Sequence, residues 1–225
     1  MTKDISRIPA GSDSDLLRRS DYFPTMVYSC LLHDAEDMNR EILAAIYNER
    51  SRDGEGIERS NFKSLGGWHS QNNLHKDKAF KRLTDRVNRL ANGIGRDLGY
   101  SESHHLRITT MWSISNPPGS SNRAHVHPGA LWSGVYYVQA PEGAGKIEFI
   151  EPRTMHLMNQ PVYKPKTRRR RECWTKVKVT PVAGKALFFP SWLYHSVEPN
   201  LAEGEGSEAE RIIISFNINQ VRKKS

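Results

Sequence analysis

Four residues could do chemistry together: His125 and His127 in Arg123-Ala-His-Val-His-Pro128, His195 closing Phe188-Phe-Pro-Ser-Trp-Leu-Tyr-His195, and Arg211 opening an isoleucine-rich run. Two histidines at i and i+2 on a strand point to one face, and a third from a later strand can complete a metal site. Val126 would then face the packed side. An arginine beyond the third histidine adds a fixed cation that suits a carboxylate. On that last strand Arg211, Ile213, Ser215 and Asn217 share a face, so Arg211 and Ser215 could hold one carboxylate together. Taken singly, His-x-His is more often a pair of ordinary histidines, and Arg211 a strand-end surface arginine. As a set, the four residues point to a metal centre beside an anion site.

The elements that must position this set change character along the chain. Residues 1–20 are polar and read as loosely held. A strand fits Met26 to Leu32. Asp34 then reads as the cap of a helix to about Arg50, with Met38, Ile42, Leu43, Ile46 and Tyr47 at helical spacing. Residues 51–75, rich in Ser, Gly and Asn, read as a long ordered loop. A second helix is expected from about Lys76 to Leu98, on the recurrence of Phe80, Leu83, Val87, Leu90, Ile94 and Leu98, with Gly93, Gly95 and Gly99 weakening its end. From His105 onward short strands follow: Leu106 to Ser115, His125 to His127, Leu131 to Val138, Lys146 to Glu151, Trp174 to Thr180, Lys185 to Phe189 and Arg211 to Asn219. This order predicts a mainly β fold, a sandwich or open barrel with flanking α-helices, in one domain over 1–225: buttress 22–104, β core 105–219. Trp112, Trp132, Tyr136 and Trp192 read as walls and core. His69, His75, His104, His105 and His156 have no usable partner spacing, and Asn122 could contact cosubstrate or substrate at a pocket mouth, although loop asparagines usually serve turns.

The chain of 225 residues has no internal repeat and no apolar stretch that suits a signal peptide or a membrane span. Its two cysteines, Cys30 and Cys173, lack metal or redox spacing and read as reduced thiols, which points to a cytoplasmic protein. The net charge of +8 is concentrated: Lys164 to Arg171 carries six positive charges. Such a run is usually a solvated loop, and it could also attract nucleic acid or an acidic protein, with Tyr163 and Trp174 beside it for stacking.

From about Met111 to Asn219 these residues resemble the Fe(II)- and 2-oxoglutarate-dependent oxygenases, in the order metal pair, Tyr-Tyr strand, Gly-rich turn, distal histidine, arginine. His125-Val-His-Pro-Gly-Ala-Leu-Trp-Ser-Gly-Val-Tyr-Tyr-Val138 is similar to a subfamily from bacteria and their phages, as are Gly66-Gly-Trp-His-Ser70 and Asn116-Pro-Pro-Gly119. The resemblance implies a double-stranded β-helix, a jelly roll of cupin-like type. It implies that His125, His127 and His195 hold Fe(II), that Arg211 binds the distal carboxylate of 2-oxoglutarate, and that Ser215 and Tyr137 assist. The implied activity is a dioxygenase that uses O2, releases succinate and CO2, and hydroxylates a substrate, with a peptidyl or prolyl substrate suggested by prolyl-hydroxylase-like members. A homodimer is the default for assembly.

The wider family has Asp or Glu where this chain has His127. Three readings follow: His127 is the third ligand, an acidic residue such as Glu148 replaces it, or water fills the place. Position i+2 and the competence of imidazole toward iron favour the first. Two functional rivals remain: a three-histidine cupin-type dioxygenase without cosubstrate, against which Arg211 speaks, and a non-catalytic binding protein that uses the basic run for nucleic acid.

Overall fold

The computed structural model describes residues 7–9, 16–18, 21–165 and 169–223. In chain order the elements are β1 (Arg7–Pro9), β2 (Leu16–Arg18), β3 (Tyr28–Leu31), α1 (Ala35–Arg52), α2 (Glu55–Arg59), β4 (Trp68–His69), α3 (Lys81–Asp97), β5 (His104–Asn116), β6 (Asn122–His125), β7 (Trp132–Gln139), β8 (Ile147–Ile150), α4 (Thr154–Met158), β9 (Lys176–Val179), β10 (Lys185–Pro190), β11 (His195–Val197) and β12 (Arg211–Arg222). A six-stranded sheet has the order β3-β10-β7-β12-β5-β4, a four-stranded sheet the order β6-β11-β8-β9, and every pairing within them is antiparallel. The neighbours in each sheet are distant in sequence, as in a jelly roll. The expectation of loosely held residues 1–20 falls largely outside the described residues; within that stretch β1 pairs with β2.

Strand alternation builds two cores from one sheet. Ile212, Ile214, Phe216 and Ile218 of β12 join Tyr136 and Val138 of β7 and Ala186 and Phe188 of β10 against Met38, Ile42 and Ile46 of α1 and Leu83, Val87 and Ala91 of α3. The opposite faces of the same strands turn Ile213, Val135, Tyr137, Leu187 and Phe189 toward Ile147 and Phe149 of β8. The helices are therefore a buttress on one face, and the second face is free to line a cavity.

A polar clip docks α1 onto the sheet. The buried Asn39 donates to Val138 O at 3.0 Å and accepts from the Tyr136 hydroxyl at 2.5 Å. Burial pushes the Tyr136 phenol up to about 12, so it stays a donor at any working pH.

Three expected elements change. Asp34 does not cap α1 with its side chain: it sits in the left-handed region at φ 53 and turns the chain after Leu32, whose N–H is tied to Gly184 O at 2.9 Å. Asp37 and Glu36 supply the negative charge of the first turn instead. The 51–75 segment is not a bare loop; it contains α2, β4 and short 3-10 turns at Lys63–Leu65 and Leu74–Lys76. The second long helix begins at Lys81, because the Asp77 carboxylate accepts from Ala79 N and caps a 3-10 turn, Lys78–Phe80, that leads into it.

Candidate metal and cosubstrate site

Cross-strand pairing brings the first and last histidines together. His125 ends β6 and His195 begins β11, and the two are direct register partners, with ring centroids 4.3 Å apart. His127 is not on the same strand: β6 ends at His125, and His127 lies in the following loop, where its N–H is held by Ser191 O at 2.9 Å. The loop still delivers the ring, at 5.2 Å from His125 and 5.1 Å from His195. One ligand atom from each lies within 4.8 Å of the others, the one such group among the described residues.

Each imidazole is oriented by a hydrogen bond at Nδ1: His125 to Arg123 O at 2.7 Å, His195 to Leu193 O at 2.9 Å, and His127 to Asn217 Oδ1 at 2.8 Å. Oxygens of this kind only accept, so each Nδ1 carries the proton and each Nε2 keeps a free lone pair. Burial lowers the His127 pKa and holds His195 down to about 3, which keeps both rings neutral at physiological pH. Three imidazoles, each with Nδ1 tied to an acceptor, form the donor set of a borderline divalent metal.

A cavity of about 860 Å³ adjoins the histidines, and it is lined along β12 by Arg211, Ile213, Ser215 and Asn217 and beside them on β7 by Tyr137. The predicted shared face of β12 is therefore observed. Arg211 is 1% exposed. Its Nη1 donates to Ala144 O and, at 3.3 Å, to Glu198 O, while Nε and Nη2 are buried without a partner. No ion pair to Arg211 is formed among the described residues. Burial brings its pKa down to about 10, which still leaves it charged. Tyr137 beside it is buried, and that burial raises its phenol pKa.

Two lining residues had escaped the sequence reading. Asn116 lies directly opposite Arg211 in the β5–β12 register, is 1% exposed and leaves Nδ2 unpartnered. His69 reaches the cavity from β4 and stacks on Trp112 at 6.2 Å, with Trp112 in turn 5.8 Å from His127. A polar residue ending a strand after Ser113 and Ser115 was the available signal for Asn116; the two-residue strand of His69 gave none.

Glu148 is turned away from the cluster and binds Lys176 at 2.7 Å, with Lys178 at 3.6 Å. Among the described residues no Asp or Glu lines the cavity. Asn122 and Trp112 line it; Trp132 and Tyr136 are buried core; Trp192 is 54% exposed and is not part of the core. Of the basic run, Lys166, Thr167 and Arg168 lie outside the described residues, and Arg169 stacks over Tyr163 at 4.0 Å from the ring centroid. Cys30 and Cys173 are free thiols. Among the described residues no helix is long and apolar enough to cross a membrane.

A family model described as "Putative 2OG-Fe(II) oxygenase" matches residues 110–217. No curated protein sequence matches the chain. Among solved structures it is similar to a Pseudomonas putida prolyl-4-hydroxylase, at 17% identity and TM-score 0.57 over 89% of this chain and 94% of that one. It is also similar to a Trichoplax adhaerens prolyl hydroxylase in complex with a hypoxia inducible factor peptide, at 15% identity and TM-score 0.56 over 85% and 82%. A third is the non-heme alpha ketoglutarate dependent carbocyclase SnoK from nogalamycin biosynthesis, at 14% identity and TM-score 0.59 over 88% and 82%. At these identities the likeness concerns the fold, a jelly roll.

Proposed function

We propose that this chain is a 2OG-Fe(II) oxygenase, which the match of residues 110–217 to that family model supports, and that His125, His127 and His195 hold the iron while Arg211 anchors 2-oxoglutarate. The cofactor set of the family is Fe(II), with 2-oxoglutarate as cosubstrate and O2 as oxidant. When bound, iron supplies the activation of O2 that couples loss of CO2 from 2-oxoglutarate, leaving succinate, to oxidation of the substrate.

The observation that carries this reading is Arg211. A buried guanidinium with Nε and Nη2 unpartnered is costly unless a fixed anion meets it. A carboxylate accepts two parallel N–H bonds from that edge. Asn116 Nδ2, opposite on β5, offers a further donor, and Ser215 and Tyr137 line the same cavity. Three neutral imidazoles leave the metal its full double charge, one unit more than a site with a carboxylate ligand, and a dianionic cosubstrate balances that charge. The absence of Asp and Glu from the described lining acts in the same direction. A cosubstrate-free three-histidine dioxygenase leaves Arg211 unexplained.

The chain's own residues thus bind and orient: Arg211 at the distal carboxylate, the three Nε2 atoms at the metal, and Phe189, Ile147 and Val197 as apolar walls that exclude water. The reaction we favour is hydroxylation, and the substrate a peptide, proline-containing in the first instance, by fold likeness to the prolyl hydroxylases. The test is iron- and O2-dependent formation of succinate from 2-oxoglutarate, with mass spectrometry of a proline-rich peptide. Succinate together with a gain of one oxygen on the peptide is expected. Succinate formation no higher than in an iron-free control contradicts the oxygenase reading; succinate without peptide oxidation contradicts the peptide alone.

A further inference from the structure

His127 reaches the cluster from a loop, so its ring must be aimed by something beyond strand geometry. The bond from its N–H to Ser191 O fixes the main chain and leaves the side-chain torsions free. His125 and His195 each use a main-chain carbonyl two residues back, at Arg123 and Leu193, and so carry their own support. His127 alone depends on a remote side chain, Asn217, ninety positions along the chain.

Asn217 is held in turn. Its Oδ1 accepts from the Ser133 hydroxyl at 2.8 Å as well as from His127 at 2.8 Å. Ser133 is fully buried, and it is the direct register partner of Asn217 across β7 and β12. A register shift falls between Asn217 and Ile218 in the pairing with β5, the kind of irregularity that re-aims a side chain beside a site. The direction of the amide matters chemically. With Oδ1 toward His127, Nδ1 is protonated and the Nε2 lone pair is free. With the amide reversed, its NH2 would face Nδ1, the ring proton would move to Nε2, and the lone pair would be lost to the cluster.

We infer that Asn217, steadied by Ser133, is a positioning residue that selects the tautomer and angle in which His127 can bind a metal. This rests on the reading of His127 as a ligand. Supports of this kind set ring orientation and basicity, and their loss typically costs 10–100-fold in metal affinity.

The experiment titrates purified apoprotein with Co(II), reading affinity and the visible ligand-field spectrum, in wild type, Asn217→Leu, Asn217→Asp and Ser133→Ala. Asn217→Leu is expected to weaken Co(II) binding by roughly 10–100-fold and to change the spectrum, while Asn217→Asp, which keeps an acceptor facing Nδ1–H, stays within about threefold of wild type. In a His127→Ala background, Asn217→Leu should add no further loss, because the two act as a unit. Binding by Asn217→Leu within about threefold of wild type, or an equal loss in the His127→Ala background, overturns the inference. If Asn217→Leu does not fold, Ser133→Ala decides: weakening of at least about threefold supports the inference, and unchanged affinity overturns it. Should His127→Ala itself leave Co(II) affinity unchanged, the ligand reading falls and this inference with it.

Discussion

Arg211 carries a charge that the fold buries without a counter-charge among the described residues, and the cosubstrate account turns on that cost. Arg211→Ala removes a two-bond contact worth about 2–3 kcal/mol, so 2-oxoglutarate affinity should fall by roughly 30–150-fold while metal affinity stays within a factor of about two. Isothermal titration of Co(II)-loaded protein checks this; a variant that binds 2-oxoglutarate like wild type removes Arg211 from the site. His195→Ala should instead abolish metal binding. At this scale the sequence spoke through residue type and order. His125, His195 and Arg211 could be named because few residues suit a metal and a carboxylate. Asn217 and Asn116 were unreadable as partners, because their roles depend on which strands pair and in what register, and β5, β7 and β12 meet across long stretches of chain. Glu148 was a fair candidate until β9 placed Lys176 and Lys178 beside it.

Strands and helices hold the site through a few contacts whose loss should be measurable. Tyr136→Phe leaves the buried Asn39 Oδ1 without its donor, and should lower unfolding free energy by about 1–3 kcal/mol by urea titration. A loss below about 0.5 kcal/mol would show that the clip between α1 and β7 is dispensable. Gly145, just before β8, has φ +79, and a Cβ there would stand 2.3 Å from Glu198 O and 2.9 Å from Arg211 Nη1. Gly145→Ala should therefore cost at least about 2 kcal/mol and weaken 2-oxoglutarate binding together with stability. Unchanged binding in that variant would separate the turn from the arginine. Periodicity found the two long helices, α1 and α3, and most strands because burial imposes it; the short α2 and α4 gave it too few turns to register. It misjudged the start of α3, where Asp77 caps a preceding turn, and it placed His127 on a strand, because the local alternation cannot show where pairing ends. The short β11 was hidden within an aromatic turn.

For the whole molecule, stability and metal loading should share one dependence on pH. The folded His195 stays neutral down to about 3, while in the unfolded chain it titrates near its ordinary 6.5. The unfolded state therefore binds more protons between those values, so stability is fully present above about 6.5 and falls as pH drops toward 3. The lowered His127 adds a change of the same sign. Denaturant midpoints of the apoprotein measured from pH 7.5 down to 4, against His195→Gln, should show the wild type losing more stability over that interval; parallel curves would contradict it. The central claim, that three histidines and one buried arginine form a single metal and cosubstrate centre, is tested most directly by an anaerobic titration. Fe(II) is added to the apoprotein, then 2-oxoglutarate, while the visible spectrum is followed. Chelation of bound iron by the 2-oxo acid predicts a new charge-transfer band that saturates with 2-oxoglutarate and needs about 30–150-fold more of it in Arg211→Ala. Bound iron with no such band in the wild type contradicts the account.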